Sequence, residues 1–274
     1  MAQKSYPVRT RLFRAICKEP DPAELTVEFH TGDRFDSNLA SDERFLSRLP
    51  ADLSFEGKSV LDYGTGTGQT CILAAQRGAR RVLGVDLQTV GVATKALSER
   101  YPELADRVEY RQVESAADLG DERFDLVFSK NTMEHVSDPE AYVAGMAGLL
   151  APGGQLVIGF SPLWKSPYGA HIHHMTRFPW AHLLFPEELV LRERKRYRPD
   201  EDPQRYEEIK GGLNRMTLAR FREVMAASGL EQTYFEVNRN DRPVAKVLDA
   251  FSRVPGLSEY FAFSVHSMWR RPAT

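Results

Sequence analysis

The chain has 274 residues, 42% of them apolar and 27% charged, the make-up of a soluble globular protein long enough to bury a large core. A formal net charge of −2 argues against a surface built for nucleic acid, and no apolar run approaches the ~20 residues of a membrane span. Cys17 and Cys71 have no metal-ligand spacing, and "MAQKSYPVRTRLFRAICKE" has no apolar signal core, so a reduced cytoplasmic protein is expected.

In chain order, the first 55 residues contain one helical stretch, "SDERFLSRL", in otherwise irregular sequence. From residue 58 short apolar runs alternate with helical patterns, the signature of a doubly wound α/β sheet. The predicted strands are 58–63, 81–86, 108–113, 124–129 and 155–160, with helices over "GQTCILAAQRG", "TVGVATKALSERY" and "DPEAYVAGMAGLL" and a turn at "APGG". Most of these runs are apolar on both faces, which suits buried parallel strands. Residues 161–213 lose any clean period. The helix "MTLARFREVMAASGL" follows, with Thr217 as N-cap and Gly229 as its stop, and then the strands "EQTYFEV" and "AFSVHSMWR" flank the helical "PVAKVLDAFSRV". The resulting expectation is a seven-stranded, mostly parallel sheet with 1–55 as a lead-in or helical cap. Residues 56–274 form the main domain, and 161–213 are a substrate-side insert or lid.

The first strand runs into "VLDYGTGTGQT". A phosphate-binding P-loop needs Lys and then Ser or Thr after its last glycine, and Gln69 stands there instead. The dinucleotide fingerprint needs a glycine at 69, so Gln69 excludes that as well. The second strand ends in Asp86, about 20 residues on, where an acid grips ribose hydroxyls. Glu114 follows the third strand, placed to accept from an amino group such as that of adenine.

With "FDLVFSKNTMEHV" and "LLAPGGQLVIGF" in order behind these, the segment 58–160 resembles the class I S-adenosylmethionine-dependent methyltransferases of the small-molecule type. The resemblance implies a Rossmann-like methyltransferase fold and S-adenosylmethionine as cofactor, with S-adenosylhomocysteine as product. It implies that Gly64, Thr65, Gly66 and Gly68 admit the methionine moiety and that Asp62 meets its ammonium. Asp86 would hold the ribose, Leu87 would lie against adenine, and Glu114 and Ser115 would frame the base. Lys130 and Asn131 would lie beside the cofactor. Tyr63 and Thr65 depart from the aliphatic residue and cysteine common in the family. "MEHVSDP" is similar to the "EH" run of quinone-pathway O-methyltransferases. The metal-dependent ones carry a further glutamate where this chain has Asn131, so no metal is expected.

Acceptor chemistry is sought past strands four and five. A hydroxyl acceptor needs a base, and histidine is the usual one near neutral pH. His171, His173 and His174 fall within four residues beside Trp164, Tyr168 and Trp180. His171 is the first candidate, behind the small pair Gly169-Ala170, with His135 and His173 next. "FPWAHLLF" walls a pocket, forms a homodimer contact or folds back as a lid. "RERKRYR" (192–198) with Asp200 to Asp202 reads as a solvated charged face. No Asn/Asp-Pro-Pro-aromatic run, Pro-Cys nucleophile or paired-glutamate loop follows strand four. The expected activity is therefore O-methylation of a small molecule, of the kind found in secondary-metabolite or glycan pathways, without nucleic-acid or membrane partners. The alternatives are N- or C-methylation, non-methyl chemistry at the sulfonium, and a binding or regulatory protein on the same fold.

Overall fold

The computed structural model describes residues 6–20, 35–88, 90–239 and 243–273. At its centre is a seven-stranded sheet of order β3-β2-β1-β4-β5-β7-β6. The strands are β1 (Ser59–Tyr63), β2 (Arg81–Asp86), β3 (Val108–Gln112), β4 (Phe124–Lys130), β5 (Leu150–Phe160), β6 (Glu231–Val237) and β7 (Val265–Arg270). β1 to β5 pair in parallel, and β7 is antiparallel to both β5 and β6. Strand existence and order follow the sequence expectation. β5 differs in length, because the backbone through "APGG" stays paired and is absorbed as a register shift against β4 between Phe124 and Leu126.

Period-two side chains divide the core between the two faces of the sheet. Leu61, Leu83, Val127 and Ile158 pack with α5 (Pro139–Leu149) and α8 (Leu218–Ala227). Val60, Val82, Leu126 and Val157 pack with α2 (Phe35–Leu46), α3 (Gln69–Gln76) and α4 (Gly91–Arg100). Thr89, the expected start of that last helix, lies outside the described residues. The Thr217 hydroxyl accepts from the Arg220 amide at 3.1 Å, so α8 carries its expected N-cap. α9 (Pro243–Ser252) and α10 (Ser258–Phe261) bridge the last two strands.

The N-terminal region differs from its expectation. α2 begins six residues before "SDERFLSRL" does, and a second helix, α1 (Pro7–Ile16), precedes it. α1 buries only Phe13, and its partners lie some 160 residues away, so no local period announces it. Phe13 enters a third apolar cluster with Ile172, Met175, Leu189, Val190 and Tyr206 of the 161–213 segment. Within that segment are α6 (Ala181–Leu184) and α7 (Glu187–Arg194). Arg14 makes two bonds to the buried Glu193, at 2.7 and 3.0 Å. The 192–198 run is therefore not the solvated face that its composition suggested. Arg194 is buried and held by Glu201 at 3.0 Å, while Lys195 meets Asp202 at 2.9 Å. The acidic stretch folds back to neutralise the basic one, as a charge leaving water requires.

α2 lies so close to the sheet that a Cβ on Gly159 would enter the Phe45 ring. Gly159→Ala is expected to lift α2 from β5 and to cost about 1–3 kcal/mol in denaturant unfolding, the usual penalty for overpacking. A midpoint equal to wild type would contradict this.

Candidate active site

The parallel register sets Tyr63 beside Val85, and Lys130 at the same edge beside Gly159, so the loops after β1, β2 and β4 emerge together. Gly64 has φ +87°, and a Cβ there would strike the Thr132 hydroxyl at 2.5 Å, which excludes any other residue. The Gly64 and Thr65 amides both donate to the Val85 carbonyl, at 2.8 and 2.9 Å. The Gly66 amide donates to Asp86 Oδ2 at 2.9 Å, so the acid at the end of β2 also braces the glycine turn. Beneath this loop, Asp62 is 2% exposed and accepts from the Thr65 hydroxyl at 2.8 Å. Burial pushes its carboxyl up to about 7, despite that hydrogen bond.

Three groups missed at the sequence level hold this loop in place. Asp42 on α2 is buried, pairs with Lys130 Nζ at 2.7 Å and accepts from Thr70 at 2.9 Å. The Asn38 amide donates to Thr67 at 3.4 Å. Tyr142 on α5 donates to the Tyr63 carbonyl at 2.8 Å. Residues 38, 42 and 142 sit in helices whose contacts are made only on docking, and no motif marks them.

A second cluster lies past β4. Glu134 is 2% exposed, and neither carboxylate oxygen has a hydrogen-bond partner among the described residues. Burial raises its carboxyl to about 7, with His135 acting against that shift. His135 Nδ1 lies 2.7 Å from the Gly212 carbonyl, which makes Nδ1 the protonated nitrogen and leaves the lone pair on Nε2. His171 stands edge-on to His135, ring centroids 5.3 Å apart, with φ +54° and its Nε2 buried and unpartnered. Burial, and then the neighbouring His135, His173 and Arg194, hold His171 down at about 3. Asn214 fastens the Glu134-His135 segment to the loop before α8, donating to the Met133 and Val136 carbonyls at 2.8 Å each. Its own amide donates to the Glu134 carbonyl at 3.0 Å. His173 is exposed and outside this cluster, packing edge-on against His174, which in turn faces Tyr197.

The model of the methyltransferase-domain family matches residues 35–233, most of the chain. The chain belongs to this S-adenosylmethionine-dependent methyltransferase family. It is similar to the ubiquinone biosynthesis O-methyltransferase of Neisseria meningitidis serogroup C, 39% identical over 149 residues, which are 54% of this chain and 57% of that protein. The chain spans about half the length of the curated relatives it matches. Among solved structures it resembles an S-adenosylmethionine-dependent methyltransferase from Mesorhizobium loti, with TM-score 0.54 and 21% identity, over 84% of this chain and 96% of that one. The [4+2]-cyclase SpnF gives TM-score 0.55 at 18% identity, over 87% and 82%. At these identities the structures speak for the fold alone.

S-adenosylmethionine is the methyl donor in this methyltransferase family. The side chains expected around it occupy the carboxyl edge of the sheet. Asp86 and the exposed Leu87 end β2, and Lys130 and Asn131 end β4, with Asn131 at φ +52°. The Glu114 amide donates to Asp118 at 2.7 Å, while the Ser115 hydroxyl caps the short 3-10 turn that follows by accepting from Ala117. The Ser115 amide also donates to Asp118, at 3.0 Å, and its carbonyl accepts from the Asp118 amide, so the hydroxyl proton is what Ser115 keeps for a ligand. The Gly68 carbonyl accepts from Tyr110 at 2.7 Å, which fixes the start of α3.

Asp62 generates a pH prediction. The charged groups facing it are Asp42 and Lys130, and the neutral Cys71 thiol donates to it at 3.7 Å. Its value in the folded protein lies above the ordinary one, so the buried charge costs stability above about pH 7 and costs nothing below the usual carboxylate value of about 4. Asp62→Asn is expected to raise the melting temperature at pH 8 and leave it unchanged near pH 4. An ammonium partner favours the ionised acid, so donor affinity in the wild type should fall as pH drops below about 7. In the variant it should be about tenfold weaker or worse, the scale of a lost charge-assisted hydrogen bond, and flat with pH by calorimetry.

Proposed function

We propose that the chain transfers the methyl group of S-adenosylmethionine to a hydroxyl oxygen of a small molecule, with His135 receiving the hydroxyl proton and His171, held down at about 3, lining the site beside it. The observation that carries this reading is the orientation of His135. With Nδ1–H committed to the Gly212 carbonyl, its Nε2 is an acceptor with no hydrogen-bond partner among the described residues, facing the buried cluster with Glu134 and His171. That is the arrangement of a positioned base, and the identity to proteins named O-methyltransferases supports oxygen as the acceptor atom.

The transfer itself is an in-line displacement. An oxygen lone pair forms the C–O bond as the S–CH3 bond breaks, and the bonding electrons return to sulfur as the neutral thioether of S-adenosylhomocysteine. The hydroxyl proton passes to imidazole. Because the sulfonium is already an excellent leaving group, alignment and proton removal are what remains for the protein to supply. Residues 161–213, clamped to α1 through Phe13 and Arg14, serve in this reading as the lid on the acceptor side.

Two measurements test the proposal. Calorimetric titration should show saturable binding of both S-adenosylmethionine and S-adenosylhomocysteine, and binding of neither would end it. With a panel of phenols, catechols, sugars and matched amines, S-adenosylhomocysteine release should follow the hydroxyl compounds. His135→Ala should lower turnover about 100-fold or more, the typical scale of a lost acid–base group, at unchanged donor affinity. Turnover confined to the amines would favour N-methylation instead.

A further inference from the structure

The cluster past β4 has one property that methyl transfer alone does not require. Glu134, His135 and His171 each offer a ligand atom, and these atoms all lie within 4.8 Å of one another. Two of the three residues carry buried polar atoms with no hydrogen-bond partner among the described residues, namely both oxygens of Glu134 and Nε2 of His171. A carboxylate that is 2% exposed and makes no hydrogen bond is an arrangement that proteins rarely tolerate without a counter-charge. The Ser161 and Glu134 amides lie near it, but neither closes a hydrogen bond. The nearest cationic candidate on the segment, His135, approaches only to 3.9 Å.

We propose that Glu134, His135 and His171 bind a single divalent cation of the zinc type. Two imidazoles and one carboxylate suit a borderline ion, whereas Mg²⁺ prefers an all-oxygen shell. Metal–ligand bonds of ~2.0–2.2 Å set tetrahedral donors about 3.3 Å apart, so closure needs only side-chain rotation from the spacing seen. The supporting shell is already built. Nδ1–H of His135 goes to the Gly212 carbonyl, which turns the Nε2 lone pair inward as a metal ligand requires. Asn214 anchors the Glu134-His135 segment on both sides. His171 comes from the other segment, where it adopts a left-handed backbone conformation and stands edge-on to His135. The site joins residues 36 positions apart, and for that reason the spacing of "EH" alone does not reveal it.

This inference deepens the O-methyltransferase reading and rests on it only for its use. Three protein donors leave a position for the acceptor oxygen, whose hydroxyl the cation makes more acidic. With the ion bound, His135 Nε2 is a ligand and no longer the base, so the cation replaces the proton-accepting role described above and the proton of the acidified hydroxyl leaves to solvent. Binding of the ion itself needs neither donor nor acceptor, so it is measured without them.

The full chain, dialysed against chelator, is titrated with Zn²⁺ in competition with a chromophoric chelator, with no S-adenosylmethionine present. One equivalent should bind, unaffected by millimolar Mg²⁺. Co²⁺ in its place should give the intense visible bands of a four-coordinate site. Glu134→Gln and His171→Ala should each weaken binding about 100-fold or more, since supporting residues alone cost 10–100-fold, while His173→Ala should leave it unchanged. Circular dichroism and retained S-adenosylhomocysteine affinity show that the variants are folded. Absence of one-equivalent binding, equal affinity in Glu134→Gln and His171→Ala, or loss in His173→Ala overturns the site. Any of these results leaves the methyl-transfer reading standing.

Discussion

Gly64 and Thr132 approach one another so closely that a single methyl group would not fit between them. That contact joins the loop after β1 to the loop after β4, and both working regions of the molecule hang from it. On one side the chain turns through Gly64 and Gly66 under restraint from Val85 and Asp86. On the other it continues from Thr132 into Glu134 and His135. The parallel register of β2, β1 and β4 brings the loops to the same edge, in the crevice that doubly wound sheets use for ligands. The donor region and the Glu134 cluster are neighbours because the sheet permits no other arrangement of those two exits.

Burial of charge is the second theme. Asp62 and Glu134 are both removed from water, and both carboxyls sit near 7 for that reason. Their surroundings differ. Asp62 accepts from the Thr65 hydroxyl and the Cys71 thiol, so its charge is partly compensated within the protein, while Asp42 opposes Lys130 beside it. Neither oxygen of Glu134 closes a hydrogen bond among the described residues, and its charge is opposed only at longer range, by His135 and Lys130. In a medium of low dielectric this difference separates a group that stiffens a loop from one that calls for a partner.

The segment after β5 and the N-terminal helix form one body that no domain boundary drawn along the chain would contain. Phe13 fills an apolar cluster made by residues 170–213, and Arg14 neutralises Glu193 inside it. The backbone adds the Lys18 amide to Met175 and the Thr176 hydroxyl to Ile16, while the Tyr197 hydroxyl donates to the Lys18 carbonyl. The same body supplies Gly212, Asn214 and His171 to the cluster past β4. Its packing therefore sets the position of the groups that would meet an acceptor.

What the sequence determined by itself is the sheet and its loop. Apolar runs between glycine-rich turns specify strands locally, and Gln69, Asp86 and Glu114 at their spacings separate this loop from the two phosphate-binding types. The cap at Thr217 and the stop at Gly229 were equally legible, because capping is a matter of one side chain and a few adjacent amides. Tertiary structure alone decided α1, the burial of Glu193 against Arg14, the role of Asp42 and the meeting of His171 with Glu134 and His135. Each of these depends on a contact between residues tens to well over a hundred positions apart. Such a contact leaves no period or spacing in the chain, and it acquires its energy only when folding removes both partners from water.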